Sequence, residues 1–206
     1  MTHFLKYLKV VLIIETNHTK EQLIIVTEKV IATKGLAAVN LRDLGKELNL
    51  SRSAIYRHFK NKDDLLATVA AKIITTLHTD VAALLNHATG NRTFIKNILL
   101  LFYNFGKNNP EKYKLIFYKN WPSTDYPQLN NAIQTLNSSY QRCFALIVDN
   151  GLTIDKTSTE LCNISSAFIV GMVDLNLTQH LEIEVGISDP VNLLDSFLDT
   201  ILIETA

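Results

Sequence analysis

The segment SRSAIYRHF at residues 51–59 carries the side chains whose types and spacing best suit recognition chemistry. Arg52 and Ser53 stand at its start, and Tyr56 and Arg57 follow at three- and four-residue spacings, so a helix would place these side chains on neighbouring faces. Arginine can bind the edge of guanine with two parallel hydrogen bonds, whereas hydroxyl and guanidinium groups also hold phosphate oxygens. The segment therefore predicts noncovalent binding to DNA. Arg52 is the best candidate to read a base, and a role confined to phosphate is the alternative.

Two short helices and a tight turn are needed to present this segment, and the sequence predicts all three. Asn40 and Ser51 are residues that cap helix N-termini, and Asn61 can cap a third helix. Asn49 lies where the chain must turn, and asparagine tolerates the left-handed conformation better than most residues. The first two helices each carry one apolar stripe at helical spacing: Leu41, Leu44 and Leu48, then Ile55 and Phe59. This is helix-turn-helix geometry, in which the second helix can lie in a DNA major groove.

From about Thr19 to Leu66 the chain resembles the TetR/AcrR family of bacterial transcriptional regulators. The most specific piece is LSRSAIYRHF at residues 50–59, followed by Lys62 and a pair of leucines at 65–66. The chain departs from the family's usual residues by having Asn40 for Thr or Ser, Gly45 for Ala and Asn49 for Gly. Asn40 can still cap. Gly45 costs about 1 kcal/mol against alanine in a helix but allows close backbone approach.

The resemblance implies a set of DNA contacts. Tyr56 corresponds to a phosphate-contacting tyrosine, and Lys62 would contact phosphate together with backbone N–H groups at the start of its helix. Arg57 and His58 would touch phosphate or base, or would be solvated, while Lys60 is expected to be a solvated charge. The full set of predicted DNA-binding residues is Asn40, Arg42, Ser51, Arg52, Ser53, Tyr56, Arg57, His58 and Lys62.

Charge is distributed unevenly along a chain whose net charge is zero. Residues 20–62 contain nine Lys or Arg against four Asp or Glu, a net of +5, whereas residues 65–206 contain nine against thirteen, a net of −4. A basic end and an acidic remainder suit a protein that presents one face to phosphate. Local excesses of this size are also common on solvated surfaces, so the charge reinforces the motif without standing alone.

The chain is expected to be all-α and divided into three parts: a leader at 1–18, a DNA-binding domain at 19–64 and a helical ligand-binding and dimerisation domain at 65–206. Thr19 is predicted to cap the first helix, with Gln22 completing a capping box. The apolar run in the leader is too short for a membrane span, and the leader is either disordered or loosely packed, or an extension of that helix; a basic arm that touches DNA through Lys6 and Lys9 is a further hypothesis. Further helices are predicted from about 62 to 87, then at 92–108, 110–117, 129–150, 157–181 and 190–203.

In the family that the chain resembles, the C-terminal half encloses a pocket for a small effector, here expected to be apolar or aromatic. Six large side chains could line such a pocket, although core packing explains each of them equally well: Phe102, Phe105, Trp121, Phe144, Phe168 and Met172. Gly171 in an apolar helix suggests close helix–helix approach, within the core or across a dimer seam.

The last two helices carry more apolar residues than one core-facing stripe needs, which favours a four-helix interface in a homodimer. They are Leu161, Ile164, Phe168, Ile169, Met172, Val173, Leu175, Leu193, Leu194, Phe197, Leu198, Ile201 and Leu202. A two-fold dimer would read two half-sites in double-stranded DNA. The resemblance thus implies a ligand-released, homodimeric repressor that binds a palindromic operator.

Enzyme chemistry is not indicated. The sequence contains no Ser/His/Asp order with supporting context, no phosphate-binding loop and no metal-spaced His/Cys cluster, so no catalytic residue, metal ligand or cofactor is assigned. Cys143 and Cys162 are expected to be buried and reduced in a cytoplasmic protein that does not insert into membranes. Two alternatives are a small helical enzyme and an architectural DNA-binding protein without ligand control.

Overall fold

The structure is a computed structural model that describes residues 2–122, 124–153, 155–178 and 189–203. Within these ranges it contains α-helices, one 3-10 turn at Leu36–Ala38 and no strand, which confirms the all-α prediction. The helices are α1 (Thr2–Lys34), α2 (Leu41–Glu47), α3 (Arg52–Tyr56), α4 (Lys62–Leu85), α5 (Arg92–Asn108), α6 (Pro110–Phe117), α7 (Pro127–Asp149), α8 (Ser158–Thr178) and α9 (Pro190–Ile201).

The start of the first helix differs from the prediction at Thr19. Helix α1 begins at Thr2, so Thr19 lies inside it and does not cap it. The backbone of residues 2–18 is therefore an extension of the first helix, which was one of the predictions for this segment. A Thr–Gln capping pair is also compatible with a helix interior, because an apolar run on its N-terminal side can carry the helix further.

The other helix bounds agree with the sequence to within a few residues. Helices α5 and α6 have the predicted limits, and proline opens α6, α7 and α9 in the first helical turn, where its missing N–H is not needed. Asp189 caps α9 by accepting hydrogen bonds from the backbone N–H groups of Val191 and Asn192. The predicted end of α8 at 181 lies outside the described residues.

A first hydrophobic core joins α1 to α4. Leu23, Ile31, Leu44 and Phe59 are buried in it, and the first half of α4 supplies a continuous buried face. Leu115 of α6 and Leu129 of α7 also belong to this core. The N-terminal helices α1, α2 and α3 are therefore packed against α6 and α7, which lie much later in the chain.

A second core lies between α4, α5, α7, α8 and α9. The free cysteines Cys143 and Cys162 are both buried in it, as predicted, and burial raises the pKa of each thiol. Helix α4 contributes to both cores. The helix that starts beside the recognition segment therefore continues into the C-terminal part, which gives it a mechanical link to both.

Helices α4 and α8 are each long and apolar enough to cross a membrane by length and composition alone. The core helix of a soluble protein meets the same test, and 56% of the apolar window of α4 is buried inside the protein. The corresponding value for α8 is 33%. Among the described residues, a smaller share of α8 than of α4 is therefore covered.

Candidate nucleic-acid interface

Local caps determine where the two helices of the helix-turn-helix begin. The Asn40 side chain accepts a hydrogen bond from the Arg42 N–H at 2.8 Å, and the Ser51 hydroxyl accepts one from the Ala54 N–H at 3.2 Å. Between the helices, Asn49 has φ of 53°, the left-handed conformation that the sequence predicted there. These contacts orient the start of α3, where side chains can reach base edges.

Packing beneath the surface sets the angle between α2 and α3. Ile55 and Phe59 are 2% and 1% exposed, respectively. A Cβ atom at Gly45 would lie 2.5 Å from Ile55 Cδ1 and 3.3 Å from the Leu50 carbonyl oxygen. Gly45 thus permits the close approach expected of it, and α3 lies directly against α2.

The outward side of α3 carries the predicted recognition residues. Ser51, Arg52, Ser53 and Arg57 are exposed, and Tyr56 is 45% exposed. The Arg52 guanidinium lies 5.5 Å from the centre of the Tyr56 ring, within the range of a cation–π contact. This contact orients the Arg52 side chain while leaving its N–H donors available.

An open cleft of about 430 Å³ lies between α2 and α3. It is bordered by four of the nine predicted DNA-binding residues: Asn40, Arg42, Arg52 and Tyr56. Lys46 borders it as well and was not predicted, although its four-residue spacing from Arg42 places both on one helix face. Lys46 also pairs with Asp43 at 3.6 Å. The cleft is the concave, basic part of this surface.

His58 lies on a different part of the surface from the α2–α3 cleft. It is half-buried and borders a second hollow together with Lys20, Lys60 and Asp64. Burial lowers the pKa of His58, and the positive charges of Arg57 and Lys20 lower it further. These effects favour the uncharged ring, which can donate or accept a hydrogen bond.

Lys62 opens helix α4, whose N-terminal dipole favours anions. Two carboxylates in the same turn would repel a phosphate, but both have partners within the protein. Asp63 pairs with Lys119 at 2.9 Å, and Asp64 accepts a hydrogen bond from the Lys60 N–H at 2.8 Å. Asn61 caps the helix by accepting from the Asp64 N–H at 2.9 Å. The start of α4 is thereby compatible with the phosphate contact expected of Lys62.

The six residues expected to line an effector pocket are not gathered in one place. Phe102 and Phe105 line a cavity of about 120 Å³ between α5, α6, α7 and α8. Phe144 and Met172 are packed in the second core, Trp121 packs beside the first core and donates to the Leu115 carbonyl, and Phe168 stacks on Phe197 with ring centres 4.0 Å apart. Distance along the sequence does not specify which aromatic residues meet.

Three aromatic residues that the sequence did not single out also line this cavity: Tyr113, Phe117 and Tyr140. A signal was available for two of them, because Tyr113 and Phe117 are four residues apart on the predicted helix 110–117 and so share one face. Tyr140 lies one helical turn from Leu136, which lines the cavity as well. Five of the ten residues that line the cavity are therefore aromatic, and we call it the aromatic cavity.

Comparison with known proteins identifies the N-terminal region. Residues 23–69 match the family model described as bacterial regulatory proteins, tetR family. The chain is 26% identical over 96 residues to the HTH-type transcriptional activator FasR of Mycolicibacterium smegmatis, a match that covers 47% of this chain and 44% of FasR. It is 23% identical over 194 residues to the HTH-type nicotine-responsive transcriptional repressor HdnoR of Paenarthrobacter nicotinovorans, covering 91% of this chain and 98% of that protein.

The fold has a solved counterpart in a TetR-family transcriptional regulator from Pectobacterium atrosepticum. The two structures superpose with a TM-score of 0.70 at 18% sequence identity, covering 93% of this chain and 98% of the other. The match to FasR spans less than half of that protein, and the solved structure, at 18% identity, shows likeness of fold alone.

Proposed function

From the premise that this chain belongs to the TetR family of transcriptional regulators, we propose that it is a sequence-specific DNA-binding repressor. We propose that it acts in the cytoplasm as a homodimer on a palindromic operator. One observation carries the proposal: Arg52, Ser53 and Tyr56 lie exposed on a helix that is capped and packed from below, beside a cleft that Arg42 borders. Such a surface fits the major groove and the flanking phosphates.

The test is binding of the purified chain to duplex DNA from upstream of its own gene, against scrambled DNA, at about 150 mM salt. A specific regulator should prefer its operator by about 10³-fold or more at physiological salt, with a footprint of two symmetric half-sites. Equal and strongly salt-dependent binding to both duplexes would favour an architectural DNA-binding protein. Failure to bind either duplex would contradict the proposal.

We propose that the dimer forms through α8 and α9. Of the thirteen apolar residues predicted there, seven are buried within the chain, and Ile164, Phe168, Leu175, Leu193, Phe197 and Leu202 remain exposed or half-buried. Among the described residues, a Cβ at Gly171 would meet no atom within 4 Å, so the close approach expected at Gly171 is not made by any of them. A second copy could make that approach, and its α8 and α9 would cover the exposed side chains in a four-helix arrangement.

The dimer is tested by sedimentation velocity on the intact chain and on a variant with a charge placed in this surface. Ile164→Glu should dissociate the dimer, because the glutamate would be buried without a partner. Asn163→Glu adds the same charge at the neighbouring exposed position of α8 and serves as the matched control. A monomeric parent chain, or an unaffected Ile164→Glu dimer, would contradict this assignment.

We further propose that a small effector releases the DNA, with α6 as well as α4 carrying the signal. Tyr113 and Phe117 of α6 line the aromatic cavity. On the same helix, the Glu111 carboxylate accepts a hydrogen bond from the Leu36 N–H at 2.9 Å, and Lys112 pairs with Glu28 at 3.4 Å. Helix α6 therefore touches both the cavity and the DNA-binding part, and a ligand that prefers one position of α6 would change DNA affinity.

Support for a small effector also comes from the nicotine-responsive relative, which matches this chain over nearly its full length. The proposed division is a DNA-binding domain at 19–64, with residues 65–206 binding effector and forming the dimer. Since α4 belongs to both cores, a displacement of one end of α4 would also displace the other end. The spacing of two recognition helices in a dimer is the quantity that such a displacement would alter.

A further inference from the structure

The aromatic cavity opens beside a group of exposed aromatic side chains at the end of α6. Phe117 is 51% exposed and Tyr118 is 62% exposed. The ring centres of Tyr113 and Phe117 are 4.6 Å apart, and those of Tyr113 and Tyr118 are 6.0 Å apart. These three rings form one aromatic surface that continues from inside the cavity, which Tyr113 and Phe117 line, to solvent.

The Asp174 carboxylate lies beside Tyr113, one of the rings that line the cavity. The Tyr113 hydroxyl donates to Asp174 Oδ1 at 3.2 Å, and the pKa of Tyr118 is raised, mainly by hydrogen bonding to Asp174. Asp174 follows the cavity-lining Val170 by one turn of α8. Within the described part of the chain, no Lys, Arg or His nitrogen lies within ion-pair distance of the Asp174 carboxylate.

The rings and the Asp174 carboxylate are sources of negative potential beside the cavity. The face of an aromatic ring attracts cations through its quadrupole, and a carboxylate that is half-buried favours an opposite charge as its partner. The Tyr113 hydroxyl donates a hydrogen bond to Asp174 but brings no positive charge. The rest of the lining is mostly apolar, with Asn137 and Ser166 as its polar members, so it suits the hydrocarbon part of the same ligand.

We propose that this cavity binds an organic cation, a quaternary ammonium or protonated amine, with its charge against Asp174 and the Tyr113, Phe117 and Tyr118 rings. The inference rests on the proposed function for the role of the ligand as effector, but not for its binding. It specifies the chemical class: the charged centre lies at the mouth and the apolar part lies between α5 and α7. Because two rings of the site belong to α6, occupancy bears directly on the helix that contacts Leu36 and Glu28.

The test compares two molecules of the same shape that differ in charge. Choline and its neutral carbon isostere, 3,3-dimethylbutan-1-ol, are titrated separately into the full chain by calorimetry, without DNA. We expect choline to bind about tenfold or more tightly than the alcohol, as a desolvated cation–π site with a counter-ion should. Equal affinities, tighter binding of the alcohol, or no binding of choline at millimolar concentration would overturn the proposal.

Variants locate the site. Asp174→Asn keeps the size of the side chain and an oxygen that accepts from Tyr113, so we expect it to fold, to weaken choline binding about tenfold and to leave the alcohol unchanged. Asp149→Asn removes the same charge from an exposed position near the end of α7 and should change neither affinity. Phe117→Leu, at an exposed position, should also weaken choline selectively. Choline binding that survives both Asp174→Asn and Phe117→Leu would overturn the assignment.

Cation binding by the cavity and operator binding by the α2–α3 surface can be contradicted independently of each other. Calorimetry on the free protein reports the cavity whether or not the chain recognises an operator. Operator binding by the free protein likewise reports the α2–α3 surface whether or not a cation binds. If both hold, choline added to the operator complex should weaken DNA binding in the parent chain and not in Asp174→Asn.

Discussion

The α2–α3 surface and the aromatic cavity are built in opposite ways. The α2–α3 surface comes from one continuous stretch of fewer than thirty residues. Asn40, Ser51 and Asn61 cap the helices of this stretch. The cavity takes its lining from four helices that are spread from α5 to α8. The first depends mainly on contacts between near neighbours, and the second depends on how distant helices pack.

The two regions also differ in whether the side chains proposed to bind a partner are needed for stability. On the α2–α3 surface, Arg42, Arg52 and Arg57 are exposed and their side chains cap no helix, so each can change with little effect on the fold that presents it. In the cavity, the side chains that would bind ligand are also those that hold the helices together: Tyr113 is 2% exposed, and Gly106 lies directly against it. Substitutions in the two regions should therefore affect different measurements.

Phe59→Ala should have the largest effect. It should lower both stability and DNA binding, because Phe59 is buried beneath the α2–α3 surface. Truncating a fully buried phenylalanine costs about 3–5 kcal/mol. Chemical denaturation should show that loss of stability, with loss of DNA binding. Ile25→Ala, at a position 51% exposed, is the control and should stay within about 0.5 kcal/mol of the parent chain. A stable Phe59→Ala variant would mean that the first core does not depend on this ring.

Arg52→Ala should weaken specific DNA binding by about 1–3 kcal/mol and relax the sequence preference, with no loss of stability because Arg52 is exposed. Competition between operator variants measures the preference. Arg142→Ala removes the same charge from an exposed position on α7 and should leave both quantities unchanged. An unaltered preference in Arg52→Ala would rule out Arg52 as a base reader.

Gly106→Ala should act on the cavity instead. Its Cβ would lie 2.6 and 2.7 Å from the two Cγ atoms of Val173 and 3.2 Å from Tyr113 Cδ2, so either α5 and α8 move apart or the Val173 side chain changes its rotamer. We expect a cost of about 1–3 kcal/mol in unfolding free energy, weaker binding of any cavity ligand and unchanged operator preference. Asn104→Ala, exposed on the same helix, is the control. Full stability in Gly106→Ala would show that Val173 relaxes freely.

Lys62→Ala should weaken binding to all DNA sequences and reduce the slope of log affinity against log salt by about one. The expected cause is the loss of one phosphate contact at the start of α4, with base reading left intact. Lys107→Ala, exposed on α5, removes the same charge elsewhere and should keep the parent slope. An unchanged slope in Lys62→Ala would remove Lys62 from the interface.

Glu111→Gln should have the smallest effect, below about 1 kcal/mol, since the side chain is partly exposed. Hydrogen bonds from Lys114 and the Leu36 N–H hold the pKa of Glu111 below its usual value. Its folded pKa is depressed, so its charge stabilises the protein above the unfolded value, about 4.3, and that contribution is lost as pH falls further.

The measurement for Glu111→Gln is unfolding free energy between about pH 6 and pH 3, where the gap between parent and variant should close as pH falls. Glu47→Gln, on the exposed side of α2, is the matched control. A gap that stays constant across this range would mean that the carboxylate charge does not stabilise the contact between α6 and Leu36.

Much of the fold and of the recognition surface was predictable from sequence. The caps at Asn40 and Ser51, the left-handed Asn49 and the tight approach at Gly45 all follow from the conformational preferences of single residues. The start of the first helix was not predictable from Thr19, because a good capping residue can also lie inside a longer helix.

The sequence by itself determined the helices and the outward side chains of α3, since both depend on contacts within a few residues along the chain. Only the tertiary structure decided which aromatic residues meet. Phe102 lines the cavity, whereas Phe144 and Phe168, equally apolar in sequence, are packed in the core and against Phe197. It also brought Asp174 to the hydroxyl of Tyr113, 61 residues away. Such meetings depend on how helices pack, and helical periodicity shows only which side of a helix is buried.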